Sequence, residues 1–317
     1  MELVTRVRNK YVEGGLPAIC SAATHLANRW YHRNIFWSRL GGLSTLLARN
    51  IKLLQPAILV LSFPRSGSSW VGQVLGSAAE AAYLEEPATQ SYLQRVPGIV
   101  FVDPVHQHGP NIDLYRRLVD QSFLGLPGFP GALREPVKFP AQWALAKRPR
   151  RRLIIKEVNP LAVAYILDRY RPRVILLVRH PAGPISSGRA LGWWDAVGQA
   201  QGMLLGSVLY SVWQVLKDYD DCHVVTYEDL CARPTTRFRE LFAFAGLMWN
   251  ERVERLIEEK SAGGKPVTPG STTRDSKKVI DAWKERITAH ELTQLRAGYQ
   301  IYDLPWYTSS DDWQLDQ

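Results

Sequence analysis

The chain has 317 residues, 46% of them hydrophobic, and its 39 Lys and Arg against 30 Asp and Glu leave a formal charge of +9. That is enough apolar material for a full buried core, and alternating strand and helix signals favour one α/β domain over the two that length alone permits. Nucleic acid, the usual partner of a basic chain, is not expected, because no helix-turn-helix, zinc finger or aromatic RNA-binding signature accompanies the charge.

Residues 1–50 read as a helical, basic and aromatic lead-in with Trp30, Tyr31, Phe36 and Trp37 close together. Packing on the domain is the expectation, and peripheral membrane contact through this basic segment stays open. The start, MELVTRVRNKYVEGG, lacks the apolar core of a signal peptide, and no run reaches eighteen uninterrupted apolar residues. Cys20, Cys222 and Cys231 are odd in number and have no metal-ligand spacing, so a reducing, cytoplasmic compartment is expected.

The most informative stretch is Ile58 to Glu80, ILVLSFPRSGSSWVGQVLGSAAE. Ile58 to Leu61 form a β-type run, Pro64 and Gly67 break it, and a helical pattern follows. Ser66, Ser68 and Ser69 stand where helix caps belong. With Arg65 beside a helix start, the turn suits a doubly charged phosphate-like group. An ordinary βα turn is the alternative. Gly67 is followed by Ser68 and not by the Lys of a GxxxxGK[ST] loop, so the apparatus for magnesium and ATP is missing and no metal is expected.

Residues 97–142 are rich in Gly and Pro and are assigned to loops that cap a binding pocket. Within them His106 and His108 form an H-x-H pair, read as loop surface, with a base or half a metal site as the alternatives. Lys147 to Arg152, KRPRRR, reads as a solvated turn or as a contact for anionic glycan or lipid headgroups. A second strand, 174–178, empties into Arg179, His180 and Pro181, with Ser186 and Ser187 beyond. A permanently charged, forked Arg with a hydroxyl one loop later can surround a phosphate. Met203 to Leu216 reads as a buried helix, and Thr308 to Gln317 as a frayed acidic tail.

The motif FPRSGSSW resembles the 5′-phosphosulfate loop of sulfotransferases that use 3′-phosphoadenosine 5′-phosphosulfate (PAPS). The form RSGSS followed by Glu86-Pro87 is most similar to the carbohydrate sulfotransferases. The resemblance implies a P-loop-like three-layer α/β fold, with a central parallel sheet flanked by helices, over residues 51–307. It implies PAPS as co-substrate, held by Arg65, Ser66, Gly67, Ser68 and Ser69 at the sulfate end. Arg179 and Ser187 stand at the family's spacing for the 3′-phosphate, with Ser186 as the alternative. Tyr227, in VVTYEDL, would approach the adenine. Trp70 would stack on adenine or serve as plain core. Lys277, Lys278 and Trp283 resemble the loop that closes over the 3′-phosphate.

In LIIKEVNPL, Lys156 matches the Lys of the small-molecule enzymes' Lys-x-His pair, but Val158 occupies the place of their catalytic histidine. A carboxylate must then take the proton of the acceptor hydroxyl, a carbohydrate or glycolipid by the resemblance. Glu86 is the first candidate, expected at the end of the first helix, and Glu85 is its rival. Arg65, with Lys156, would stabilise charge growing on the leaving oxygen. A P-loop kinase and a non-catalytic nucleotide-binding module are the competing readings.

Overall fold

Five apolar runs form one all-parallel sheet in the computed structural model, which describes residues 46, 48–96, 98, 101–126, 145–261 and 280–315. The strands are β1 (Leu54–Ser62), β2 (Ala81–Glu85), β3 (Arg152–Glu157), β4 (Arg173–Val178) and β5 (Cys222–Thr226), in the order β2-β3-β1-β4-β5. Both of the runs identified from sequence, 58–61 in β1 and 174–178 in β4, are essentially inaccessible to solvent. A parallel strand covered on both faces needs no polar side chain, which is why these segments read as continuous Ile, Leu and Val.

Side chains alternate across β1 and separate two cores. On one face Ile58 and Val60 meet Trp70, Val71 and Val74 of α1 (Ser68–Leu75), with Phe238 and Phe242 of a later helix. On the other, Leu59 and Leu61 share a cluster with Ile166, Val208, Val212 and Leu295. Helices therefore cover both faces, giving the expected three layers. Truncating any of these buried Leu or Ile side chains to Ala should cost about 2–5 kcal/mol.

Among the described residues further α-helices are α2 (Pro87–Leu93), α3 (Ile112–Phe123), α4 (Val163–Tyr170), α5 (Ala182–Arg189), α6 (Gln199–Leu216), α7 (Tyr227–Ala232), α8 (Pro234–Ala245), α9 (Glu251–Ser261) and α10 (Ala289–Tyr299). The connection from β1 runs towards the β2 edge and that from β4 towards the β5 edge. The C-terminal ends of β1 and β4 therefore flank a topological switch point, where open α/β sheets form a crevice.

Four segments differ from the sequence reading. The Gly/Pro-rich stretch contains a helix, α3, that buries Tyr115, Leu118, Val119, Ser122 and Phe123. Those residues repeat at helical spacing, and the Gly and Pro on both flanks hid the pattern. Helix α6 is buried on one face only, and Met203, Leu204, Tyr210 and Val215 remain exposed on it. In KRPRRR the charges are not simply solvated: Arg148 donates to the carbonyls of Ile51 and Leu124, Arg151 to Ala79 (2.6 Å) and Ala81 (3.1 Å), and Arg152 to Pro56 (2.9 Å). Lys147 and Arg150 alone of its charged residues are exposed. Within the tail Trp313 is packed, 6% exposed with its ring 4.6 Å from that of His180, while Thr308 to Asp312 and Gln314 are exposed. The aromatic lead-in with Trp30, Tyr31, Phe36 and Trp37, and the Lys277-Lys278 pair, lie outside the described residues. Among the described residues, no helix is long and apolar enough to cross a membrane.

Candidate active site

After β1 the chain turns through Phe63, Pro64, Arg65, Ser66 and Gly67 into α1. Arg65 (φ 66°) and Gly67 (φ 96°) are both left-handed, which folds the loop back over the strand end. The serines were expected to cap α1, but the N-cap is Gly67 and no side chain caps the helix. Ser68 instead lies inside the first turn and accepts a hydrogen bond from buried Ser62 (2.7 Å). The positive end of α1 thus has no side-chain oxygen competing for its first N–H groups, and Arg65 stands next to it.

Arg65 reaches across the switch point, its Nε donating to the Ser187 hydroxyl at 3.0 Å. Arg179, which follows β4, donates from Nη1 to the Arg65 carbonyl at 3.2 Å. Its guanidinium lies over the Tyr227 ring, 4.2 Å from the centroid. Two close approaches hold this unit. A Cβ on Gly67 would sit 2.4 Å from the Tyr227 ring, and one on Gly183 2.4 Å from Arg179 Nε. Arg65, Arg179, Ser187 and Tyr227, drawn from three segments, therefore form one contiguous group. Ser186 points elsewhere: it is buried, and its hydroxyl donates to the Gly183 carbonyl (3.2 Å).

Beside this group, adjacent strands bring Lys156 and Glu86 together. Glu85 pairs in register with Lys156, the Glu86 N–H donates to the Lys156 carbonyl at 2.7 Å, and the Lys156 ammonium donates to Glu86 Oε1. Gln90, one turn into α2, donates to the other carboxylate oxygen at 2.9 Å. Lys156 is 2% exposed and the Glu86 side chain 19%. Burial by itself pushes the Glu86 carboxyl up, but the Lys156 ammonium, the hydrogen bonds from Lys156 and Gln90, and the Arg65 charge outweigh it and hold the group below the usual carboxylate range. Glu86-Pro87 does not end the first helix as expected. Strand β2 intervenes, and Glu86 (φ 48°) is the N-cap of α2.

The other candidates make contacts of a different kind. Trp70 is 7% exposed and meets Phe238 edge-on in the core, with centroids 5.1 Å apart. Val158 is buried. His106 is exposed and its Nδ1 lies 2.7 Å from Asp103 Oδ2, while His108 is bridged to the Asp103 backbone. Trp283, from the expected closing loop, is buried against His180, with rings stacked 4.5 Å apart.

Sequence reasoning missed several residues. His180 follows Arg179, and its N–H donates to Glu228 (3.1 Å), which also accepts from the Tyr307 hydroxyl. Burial, with the Arg179 charge, pushes its imidazole down to about 3, so it is neutral. Nothing in the local sequence around 180 signals contact with Trp283 and Trp313. Glu157 and Gln90 were findable: a second charge beside Lys156 in an apolar strand needs a buried partner, and Gln90 lies four residues from Glu86 on a helix.

No family model and no curated protein matches the chain. Some solved structures resemble it at low identity. The sulfotransferase domain from the Synechococcus PCC 7002 olefin synthase matches at 19% identity and a TM-score of 0.44, over 80% of this chain and 97% of that one. The sulfotransferase domain from the curacin biosynthetic pathway matches at 16% and 0.44, over 80% and 100%. A sulfotransferase from Mycobacterium tuberculosis matches at 14% and 0.44, over 86% and 89%. Likeness at this distance assigns no activity, so the site's own residues carry the functional reading.

Proposed function

We propose that this chain is a PAPS-dependent sulfotransferase that moves the sulfuryl group to a hydroxyl of a carbohydrate or glycolipid. The observation that carries the proposal is the joining of Arg65 and Arg179 across the β1–β4 switch point, with Ser187 bound to Arg65. Two permanent charges in one hydrogen-bonded unit beside an uncapped helix start fit a ligand with an anionic group at each end, as PAPS has. Bound PAPS would supply the sulfuryl group.

The chain's own residues then have distinct tasks. Arg65 and the first turn of α1 hold the 5′ end and stabilise charge developing on the leaving oxygen. Arg179 and Ser187 hold the 3′-phosphate, with Tyr227 supporting Arg179 from beneath. The Glu86 carboxylate takes the acceptor proton, and Lys156 keeps it ionised and aimed. The carbohydrate or glycolipid acceptor is supported by the RSGSS and Glu86-Pro87 form of the motifs. Buried Val158, in the place of the small-molecule enzymes' histidine, favours a second reading, a non-catalytic module that binds PAPS or its product PAP.

Transfer from ³⁵S-labelled PAPS to a panel of sugars and glycolipids tests the proposal. Label on a hydroxyl acceptor that depends on Arg65 is the expected result. Tight PAP binding in calorimetry with no transfer to any acceptor would leave the binding module, and preference for ATP-Mg over PAP would defeat both readings.

A further inference from the structure

Lys156 and Glu157 are successive residues of β3, so their side chains leave the sheet on opposite faces. Both nevertheless end on one short segment, the turn from β2 into α2. The Glu86 N–H goes to the Lys156 carbonyl, and Pro87 has no N–H to place. The next two go to Glu157: Ala88 N–H donates to Oε1 at 2.7 Å, and Thr89 N–H is shared between Oε1 (3.4 Å) and Oε2 (3.3 Å). The Thr89 hydroxyl also donates to Oε2, at 2.5 Å. Every backbone donor from Glu86 to Thr89 is thus taken by two adjacent residues of one strand. Between them Glu86 is held left-handed at φ 48°, a conformation that a side-chain-bearing residue keeps only when its surroundings impose it.

We infer that Glu157 is a positioning residue whose carboxylate fixes the first turn of α2 and, through it, the backbone and direction of Glu86. The kinetic consequence rests on the sulfotransferase reading; the structural coupling does not. Glu157 is 3% exposed, and burial, with the Glu86 charge adding, pushes it up to about 7 against the hydrogen bonds of Thr89 and Ala88 and the charge of Lys156. The titratable groups facing it are Glu86 from the turn, Tyr115 from α3 and Lys156 from its own strand. A proton on Glu157 turns one acceptor oxygen into a donor towards Thr89, so the hydrogen bonds that hold the turn rearrange. The position of Glu86 therefore responds to pH near neutrality.

Glu157→Gln tests this, since it keeps the volume and one acceptor for Ala88 but presents an NH₂ to Thr89. The expected result is a KM for PAPS within about twofold of wild type and a kcat lowered about ten- to a hundredfold, the scale for slight misplacement of a reacting group. The rise in wild-type rate through neutral pH should vanish as well. Carboxyl ¹³C NMR of the unliganded protein gives a readout independent of activity: the Glu86 signal should show a second inflection near neutrality in wild type and none in Glu157→Gln. An unchanged kcat together with an unchanged Glu86 titration would overturn the inference. Should Glu157→Gln fail to fold, Thr89→Val removes only the hydroxyl donor; a several-fold loss in kcat supports the assignment, and full rate with an unshifted Glu157 titration refutes it. Wild-type protein inactive on every acceptor would count against the sulfotransferase reading alone, with the NMR comparison still deciding the coupling.

Discussion

Gly67→Ala is the sharpest test of how the loop is built. Two costs add at this residue. A left-handed φ of 96° costs a residue with a Cβ about 1–2 kcal/mol. The Cβ would also stand 2.4 Å from the Tyr227 ring, which is 6% exposed and packed beneath Arg179 at 4.2 Å, so the ring cannot turn aside freely. Overpacking of that kind costs about 1–3 kcal/mol. Urea denaturation should therefore show a loss of about 2–5 kcal/mol. A double-mutant cycle separates the two parts. In a Tyr227→Ala background the collision is gone, and Gly67→Ala should cost only the backbone share of about 1–2 kcal/mol, giving a coupling of about 1–3 kcal/mol between the two positions. Because the displaced ring supports Arg179, Gly67→Ala should also weaken PAP binding more than adenosine monophosphate binding. Gly67→Ala within about 0.5 kcal/mol of wild type, or equal costs in the two backgrounds, would refute the close packing of loop and ring.

Arg179→Ala should remove most of the preference for PAP over the nucleotide lacking the 3′-phosphate, about 2–3 kcal/mol or roughly 30- to 150-fold in calorimetry, because it deletes a charge-assisted donor. Arg65→Ala should lower kcat about a hundredfold or more in the transfer assay, with Arg65→Lys intermediate. Lys156→Met leaves the Glu86 carboxylate buried without its cation, so denaturation at neutral pH should show a loss of about 3–5 kcal/mol. With burial unopposed by Lys156, the Glu86 titration should move up, part of the stability should return as acid protonates it, and adding Glu86→Gln should restore more. For Glu157, raised in the folded state to about 7 from an ordinary 4.5, the sign is opposite to a salt-bridged carboxylate: its contribution is full below the unfolded value and is lost as pH rises through about 7. That shift corresponds to about 3 kcal/mol, and Glu157→Gln should flatten the slope in urea titrations between these pH values.

Local chemistry made much of this protein legible in one dimension. Ile58 to Leu61 and residues 174–178 announced themselves because a strand covered on both faces tolerates only apolar residues, and the turn after each needs Gly, Pro and an Arg. Arg65 and Arg179 could be picked out on those grounds, since each lies within three residues of its strand, and Ser187 followed from its spacing to Arg179. The pairing of those two turns was legible only through the family resemblance, not in residue type or spacing. It depends on β4 lying beside β1 while β2 and β3 occupy the other side, an order set by which helices cover which face. The same holds for Glu86 and Lys156, seventy positions apart, and for Glu157, whose role follows from β3 running next to β2. Likewise His180 meets Trp283 and Trp313 only because the C-terminal segment folds back over the end of β4. Residue type and short spacing determined which groups can bind an anion or carry a proton; parallel strand pairing and the return of the C-terminal segment decided which of them meet, because tertiary contacts are blind to distance in sequence.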